Sequence, residues 1–565
     1  MDHGGAFELH TLALGPLPVI NHFLERLGVA GLLERCVPGD DARLRLAPAV
    51  VLTTVVANLV LHREPVYALG EWAAPFDPAL FRLGPGEAVL LNDDRVGRCL
   101  AKLFDADRAS LMTELVLRAV DRFGIEVSQL HNDSTSITFS GMYRTATGHP
   151  RGGKPTAAIT WGHNKDYRPD LKQLVWVLTV SADGAVPIAY RVEPGNTNDD
   201  LTHIPTWNGL VALLGRADFL YVADCKLANR EAMDHIAGKH GRFVTVLPRS
   251  RREDKAFRAQ AAEKAPEFVE IGRRPGKRTG DPPEVSWGLE AGVSDDGYRI
   301  VWIRSSTKTA LDAKARAERI ERAVQRLTDL NERLAGPKSR LKTKVAVEQA
   351  VATILDDTGA GRWLATEVTD KTEERFRQER RGRPGSQTRY RKVIRHYFGL
   401  SWSIREDQIV VDAASDGCFP LITNDRDMTP AELLAAYKYQ PNLERRHAQL
   451  KGTQLVAPMF LKDSARIEGL LCCHFIALLI QALIEREIRQ AMAAQETPTI
   501  PLYPEDRACG SPSSARVLEI FNGASRHRLL SSTGELVQVF EPTLTPLQLE
   551  VLELLGVPAA AYTGA

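Results

Sequence analysis

Three carboxylates in this chain have the type and setting to work together on phosphate esters. Asp133 lies in HNDSTS, Asp224 in YVADCKL and Glu444 in LERRHAQLKG. Two aspartates facing each other from neighbouring strands repel unless a positive charge lies between them. Hard divalent cations supply that charge and prefer oxygen ligands, which points to Mg²⁺ or Mn²⁺. Two such ions about 3.5–4 Å apart can activate an attacking oxygen and stabilise a leaving one. Asp133, Asp224 and Glu444 are therefore read as catalytic residues and as metal ligands. Each also has an ordinary use. An Asp at a strand end often caps a turn, and a Glu on an Arg-rich helix often forms a surface ion pair. Only their joint placement raises them above that.

On a helix following Pro441, Glu444, His447 and Lys451 fall on one face, at i, i+3 and i+7. Glu444 can then reach metal while Lys451 meets phosphate from the same side. Tyr437 and Gln440 would extend that stripe if the helix were continuous, but Pro441 disfavours helical backbone at Gln440.

The elements that must position these residues read as follows. VSQLHNDSTSITFSG alternates and is rich in Ser, Thr and Ile, a strand pattern. LKQLVWVLTVSADG is an apolar run ending in Asp183-Gly184, a hairpin signal, with VPIAYRVEPGN as its partner strand. A helix from about Leu201 to Leu214 is closed by Gly215. FLYVADCKL is a short apolar strand, NREAMDHIAGKHG a helix and RFVTVLP another strand. A meander feeding an α/β crossover is the topology of an RNase H-like (retroviral-integrase-like) α/β core. In that sheet the first and fourth strands run side by side, which brings Asp133 and Asp224 together.

The rest of the chain divides around this core. Residues 1–125 read as a helical domain, helical from about residue 10, with LPVINHFLERLGVAGLLERC broken at its Gly. The first part of the core spans 126–249. Residues 250–428 read as an inserted domain of mixed strand and helix. It has a strand pair (EVSWGLEAGV, YRIVWIRS), a long charged helix from about Ala310 to Leu334, and strand-like GLSWSIREDQIVVD and GCFPLITN. Residues 429–495 complete the core. They open on a Thr429-Pro430-x-Glu432 capping box and end on an apolar helix around 465–493. A tail, 496–565, carries a second capping box, Thr545-Pro546-x-Gln548, before a helix up to Gly556.

Bulk composition is that of an ordinary globular protein: 565 residues, 44% hydrophobic, 25% charged, net charge +1. A nucleic-acid surface must therefore come from local charge segregation. RFRQERRGRPGSQTRYRKVIRHYF, residues 375–398, supplies it, with Arg381, Arg383, Arg389 and Arg391 among aromatic residues. Arg249, Arg251, Arg252, Arg273, Arg274, Lys277 and Arg278 form further clusters. Lys154, Lys165, Arg168 and Lys172 lie near the first two strands. The 7 cysteines are scattered without C-x-x-C, so zinc and a disulfide framework are poorly supported and reduced cytosol fits best. The N-terminus lacks the pattern of a signal peptide. The apolar run Leu470 to Ile484 is shorter than the roughly 20 residues of a spanning helix and reads as a buried helix, with no membrane partner.

Several motifs resemble those of one family. Tyr437-x2-Gln440-x3-Glu444-x6-Lys451 resembles the Y-x2-R-x3-E-x6-K signature of the insertion-sequence-four superfamily of bacterial DDE transposases. GHNKDYRPDLKQ, Gly162 to Gln173, resembles the G-x-S-K-D-x-R-P-D-L-K-Q block of its sixteen-thirty-four branch. PGNTNDD, Pro194 to Asp200, resembles that branch's GN-x-x-D turn. DGCFPLITN resembles the strand before its last catalytic helix, and LGPLPVINHFLERLGVAGLLE the domain that opens these proteins. The likeness runs over most of the chain. It implies a transposase that cuts the inverted-repeat ends of an insertion sequence and joins the 3′-OH ends to target DNA, using two Mg²⁺ or Mn²⁺ ions held by Asp133, Asp224 and Glu444. It implies Tyr437, Gln440, Lys451 and His447 near DNA, double-stranded DNA as partner, a homodimer in the DNA complex, an N-terminal domain recognising DNA ends, and a cytoplasmic, nucleoid-associated enzyme. The sequence departs from the pattern where Gln440 replaces Arg, Asn164 replaces Ser and Cys225 follows Asp224. Rival expectations are a nuclease of the same fold, a non-catalytic DNA-binding descendant of a transposase, and an unrelated enzyme reusing the fold.

Overall fold

The computed structural model describes residues 7–39, 44–61, 64–276, 280–336 and 339–564. The chain divides into two compact units, Met1–Thr245 with Ala435–Ala565, and Val246–Leu434. In sequence the second unit interrupts the first.

The first described element is a strand, Glu8–Ala13, where the sequence reads as helical from about residue 10. It pairs antiparallel with Ser525–Leu530, Glu8 opposite Leu530. Its partner lies more than five hundred positions away, so no local pattern announces it. Helices Leu17–Leu27 and Val29–Cys36 follow, separated at Gly28, whose φ of 69° is the left-handed conformation that ends the first. Helices Pro48–Leu61, Asp93–Asp105 and Arg108–Phe123 complete the bundle. Asn92 and Asp107 cap the last two by accepting from Arg95 N at 2.9 Å and Ser110 N at 3.1 Å.

The sheet of this unit contains Gln129–Phe139, Lys172–Ser181, Pro187–Pro194, Leu220–Ala223 and Arg242–Val246. The first three form an antiparallel meander. The Leu220–Ala223 strand pairs parallel with the first, and Arg242–Val246 parallel with it in turn. Helices His203–Leu214 and Arg230–Gly238 make the two crossovers. Parallel neighbours need such crossovers because a tight turn cannot join them.

Helix Ser464–Ala494 lies in the core of this unit and packs on helices Pro48–Leu61 and Asp93–Asp105 and on strand Pro187–Pro194. By length and composition it could span a membrane, yet its most apolar window is entirely buried. Several of its buried polar side chains find partners. Gln481 donates to Val60 O at 3.2 Å, and Arg486 to Phe123 O at 2.9 Å. The tail helix Pro546–Leu555 begins at a complete Thr545/Gln548 capping box.

The second unit holds helix Arg252–Glu263, strands Val269–Arg274, Glu284–Val293, Arg299–Ser305 and Cys418–Thr423, and the long helix Ser306–Ala335. Helix Lys344–Thr358, unread in the sequence, packs on the long helix around Ala323, Leu327, Val347 and Val351. GLSWSIREDQIVVD is not a single strand-like piece. The strand ends at Ile404, and Glu406–Ala413 is a helix with Glu406 and Asp407 in its first turn, where the helix dipole favours acids.

The basic segment is not a loop alone. Leu364–Gln378 and Tyr390–Ile404 form an antiparallel ribbon in unbroken register, Leu364 opposite Ile404 and Gln378 opposite Tyr390. Its base is anchored by buried Leu364 and Leu400. Its far end is exposed, Phe376 to 68%.

Candidate active site

Asp133 sits in the middle of its strand, opposite Leu178 of the meander. On the other side the parallel pairing runs Leu130 with Tyr221, His131 with Val222 and Asn132 with Ala223. The next residue on each chain is Asp133 and Asp224. Asp224 leaves the strand into a short turn, which its Oδ1 caps by accepting from Lys226 N at 3.0 Å. The Asp224 carbonyl accepts from Thr245 Oγ1, tying it to the neighbouring strand.

Helices Pro430–Tyr437 and Gln440–Lys451 carry the third part. Thr429 and Glu432 close the expected capping box. The first helix ends at Tyr437, and the second starts at Gln440 although Pro441 follows it, so the stripe from Tyr437 to Lys451 is not one continuous helix. The second helix is held by buried Arg446, which donates to Ala185 O at 2.9 Å, Gly184 O at 2.8 Å and Glu485 Oε2 at 2.7 Å. Tyr439 Oη accepts from Ala185 N at 2.8 Å. Glu444 is exposed on this helix.

Tyr437 is near enough to the three carboxylates to feel their charge. Burial pushes its hydroxyl up to about 12, reinforced by the negative charges of Asp224, Glu444 and Asp133. Asp133 is itself pushed up to about 6, by burial first and then by Asp224 and Asp199, with Lys165 opposing.

Several residues expected at DNA face inward instead. Gln440 is buried. Its Oε1 lies 2.8 Å from His131 Nδ1, and its Nε2 donates to Asn132 O at 3.1 Å. It indexes the Glu444 helix to the Asp133 strand and has no surface left for phosphate. His447 is also buried, with Nε2 3.7 Å from Asp133 Oδ2. Burial pushes its imidazole down to about 3, and neither ring nitrogen has a hydrogen-bond partner among the described residues. Lys165 points into the site, 3.7 Å from Asp133 Oδ1 and 3.0 Å from Asp199 Oδ2. Lys154 donates to Ala106 O at 2.6 Å.

Other expected contacts stay at the surface. Arg168 is exposed and clasps Asp170 at 2.8 and 2.7 Å. Lys172 donates to Met142 O at 2.7 Å and lies over the Trp161 ring. Lys451 pairs with Asp166 at 2.6 Å. Arg381, Arg383, Arg389 and Arg391 are exposed around the ribbon tip. Arg377 and Arg391 are register partners, like charges set opposite each other, an arrangement that destabilises a ribbon in water. Lys277 and Arg278 lie outside the described residues.

Asp199 and Ser134 belong to the site; Asp199 is the Asp of the GN-x-x-D turn, while the sequence does not single out Ser134. Ser134 Oγ donates to Asp199 Oδ1 at 2.6 Å. Burial would raise the Asp199 carboxyl, but Ser134 and Lys165 together hold it below the usual range. The available signal is that the 162–173 and 194–200 motifs meet. A Cβ on Gly162 would stand 1.9 Å from Gly195 O, so only glycine permits the approach. Gln173 Nε2 donates to that same carbonyl at 2.7 Å.

Asp133, Asp224 and Glu444 offer oxygen donors alone, the set a hard divalent ion prefers, and His447 brings unpartnered nitrogens against Asp133. That chemistry fits Mg²⁺ or Mn²⁺. Among the described residues no three His, Cys, Asp or Glu side chains form a ready-made cage.

Residues 9–117 match the family model of a domain of unknown function, DUF4277. Comparison with curated proteins gives no match.

Proposed function

We propose that this chain is a DDE-type DNA transposase of the insertion-sequence-four superfamily, sixteen-thirty-four branch, with an RNase H-like core. The observation that carries the reading is the register of the Asp133 and Asp224 strands, Asn132 opposite Ala223, with the Glu444 helix hydrogen-bonded to the same strand through Gln440. The antiparallel meander, the parallel fourth strand and the two helical crossovers support an RNase H-like core. The second unit is then the domain inserted between the second and third carboxylates.

Asp133, Asp224 and Glu444 would hold two Mg²⁺ or Mn²⁺ ions. When bound, these ions activate the attacking oxygen and stabilise the leaving one. Water cuts the DNA at the inverted-repeat end, and the freed 3′-hydroxyl attacks target DNA. Both steps are in-line displacements at phosphorus, so one set of residues serves both. Tyr437 lies among the carboxylates and orients the phosphodiester. Lys451 meets a backbone phosphate on leaving Asp166. The ribbon arginines bind further phosphates, and an anion relieves the Arg377–Arg391 opposition. The DUF4277 region recognises the DNA ends, and two copies hold two ends together.

The test is cleavage of DNA carrying the repeats that flank the gene, in Mg²⁺, by wild type and by Asp133→Ala, Asp224→Ala and Glu444→Ala. The expected result is nicking at the repeat boundary by wild type only. Binding by all four with cutting by none would favour a DNA-binding descendant of a transposase. Cutting without regard to the repeats would favour a nuclease.

A further inference from the structure

Lys165 enters the site from the 162–173 loop, and its ammonium is fully engaged. Nζ donates to Ser134 O at 2.7 Å and Ser134 Oγ at 2.8 Å, and it stands 3.0 Å from Asp199 Oδ2. An ammonium has three protons, and these partners take all of them. It has none left for a DNA phosphate unless it abandons this seat. Its charge nevertheless stands 3.7 Å from Asp133 Oδ1.

The seat is built, not incidental. Ser134 neighbours Asp133 on the strand, accepts from Lys165 and donates to Asp199 at 2.6 Å. The Gly162–Gly195 approach fixes the Lys165 and Asp199 loops against each other. Asp166, next in the loop, pairs with Lys451 at 2.6 Å, so the same loop is also tied to the Glu444 helix.

A divalent ion held by Asp133 has to share that carboxylate with a cation already beside it, and like charges close together in a half-buried site repel strongly. We propose that Lys165 is a resident counter-ion that competes with the divalent ion for Asp133, and that Asp199, through Ser134, is the seat that limits this competition by holding the ammonium back. The inference rests on the metal-centre reading above. Lys165 and Asp199 are positioning residues in it. Neither touches the reacting atoms.

The test is Mn²⁺ binding to the full chain without DNA, followed by the electron paramagnetic resonance signal of free Mn²⁺, with Asp133→Asn as reference. Lys165→Met is expected to bind Mn²⁺ at least about tenfold more tightly than wild type. Lys165→Gln serves if the Met variant fails to fold, and Lys165→Arg is expected to show no gain. Asp199→Asn is expected to weaken binding several-fold, because the released ammonium moves toward Asp133. Combined with Lys165→Met, it is expected to change little.

Equal or weaker binding by Lys165→Met, with wild-type binding still dependent on Asp133, overturns the competition and leaves the proposed function standing. Equal weakening by Asp199→Asn in both backgrounds makes Asp199 a ligand and removes its role as a seat. Wild-type binding that Asp133→Asn does not alter removes the metal centre and this inference together.

Discussion

Gln440 Oε1 and His131 Nδ1 are 2.8 Å apart, both buried, and this contact sets where the Glu444 helix meets the Asp133 strand. Burial pushes His131 down to about 4 despite the bond to Gln440, so the ring is neutral and donates through Nδ1. Its Nε2 then accepts from Gln129 Nε2 at 2.8 Å.

Gln440→Ala leaves His131 Nδ1 and the Asn132 carbonyl buried without their partner. A buried orphan costs about 1–3 kcal/mol, so a loss of roughly 2 kcal/mol is expected in chemical denaturation. Gln440→Arg, which introduces the Arg of the signature that this segment resembles, is expected to be worse. It puts a larger, charged side chain where a buried amide sits and breaks the bonds to His131 and the Asn132 carbonyl, so DNA affinity does not improve. A gain in affinity from Gln440→Arg would place this side chain at the surface.

Asp133 controls stability against pH in the metal-free protein. Its folded value near 6 lies above the ordinary 3.8, so the folded state holds the proton more tightly than the unfolded chain. Stability from this group is full below about pH 3.8 and is lost as pH rises through 6. With chelator at pH 8, Asp133→Asn is therefore expected to be more stable than wild type by on the order of 1–3 kcal/mol. At pH 4 the difference shrinks toward zero. Denaturant titrations at both pH values measure it.

The Lys451–Asp166 pair is part-exposed, with side-chain exposures of 28% and 38%, so it contributes little stability. Its effect is expected in DNA binding. Asp166→Asn releases Lys451 and tightens binding a few-fold at low salt. Lys451→Ala weakens binding across sequences and lowers the salt slope by about 1. Fluorescence anisotropy over a salt series separates the two.

Replacing Arg381, Arg383, Arg389 and Arg391 by Ala removes charges from the exposed ribbon tip. The melting profile is expected to hold, since surface changes of this kind stay within about 0.5 kcal/mol each. The salt slope of DNA binding is expected to fall by roughly 3–4, near 0.9 per lost phosphate contact. An unchanged slope would leave the ribbon with no part in DNA binding.

Elements that bury one face are written plainly in the sequence. The Gly28 break, the meander ending at Asp183-Gly184 and both capping boxes stand where local patterns put them. The ribbon strand LATEVTDKTEERFRQ was hidden because both its faces meet solvent beyond the base, so no period-2 hydrophobic alternation develops. The Glu8–Ala13 strand was hidden because its partner comes from the far end of the chain. In the candidate site, residue types were legible and directions were not. Spacing puts Glu444, His447 and Lys451 on one face, but only packing decides that Glu444 is exposed while His447 is sealed against Asp133. Lys165 and Gln440 read as surface contacts because Lys and Gln usually are. The partners that turn them inward, Ser134, Asp199, His131 and the Asn132 carbonyl, come from distant parts of the chain.

The second unit enters the chain between Asp224 and Glu444, and this sets an order in time. At about 5–20 residues per second, a ribosome needs roughly 10–40 s to cover the 220 positions between those residues. Throughout that interval the emerging protein holds two of its three carboxylates and lacks the helix that supplies the third. A chain released inside the second unit also lacks helix Ser464–Ala494, on which helices Pro48–Leu61 and Asp93–Asp105 pack, and the strand that pairs with Glu8–Ala13. The DUF4277 region therefore waits for the last part of the chain to complete its core, so the first unit finishes folding only after the second has been made.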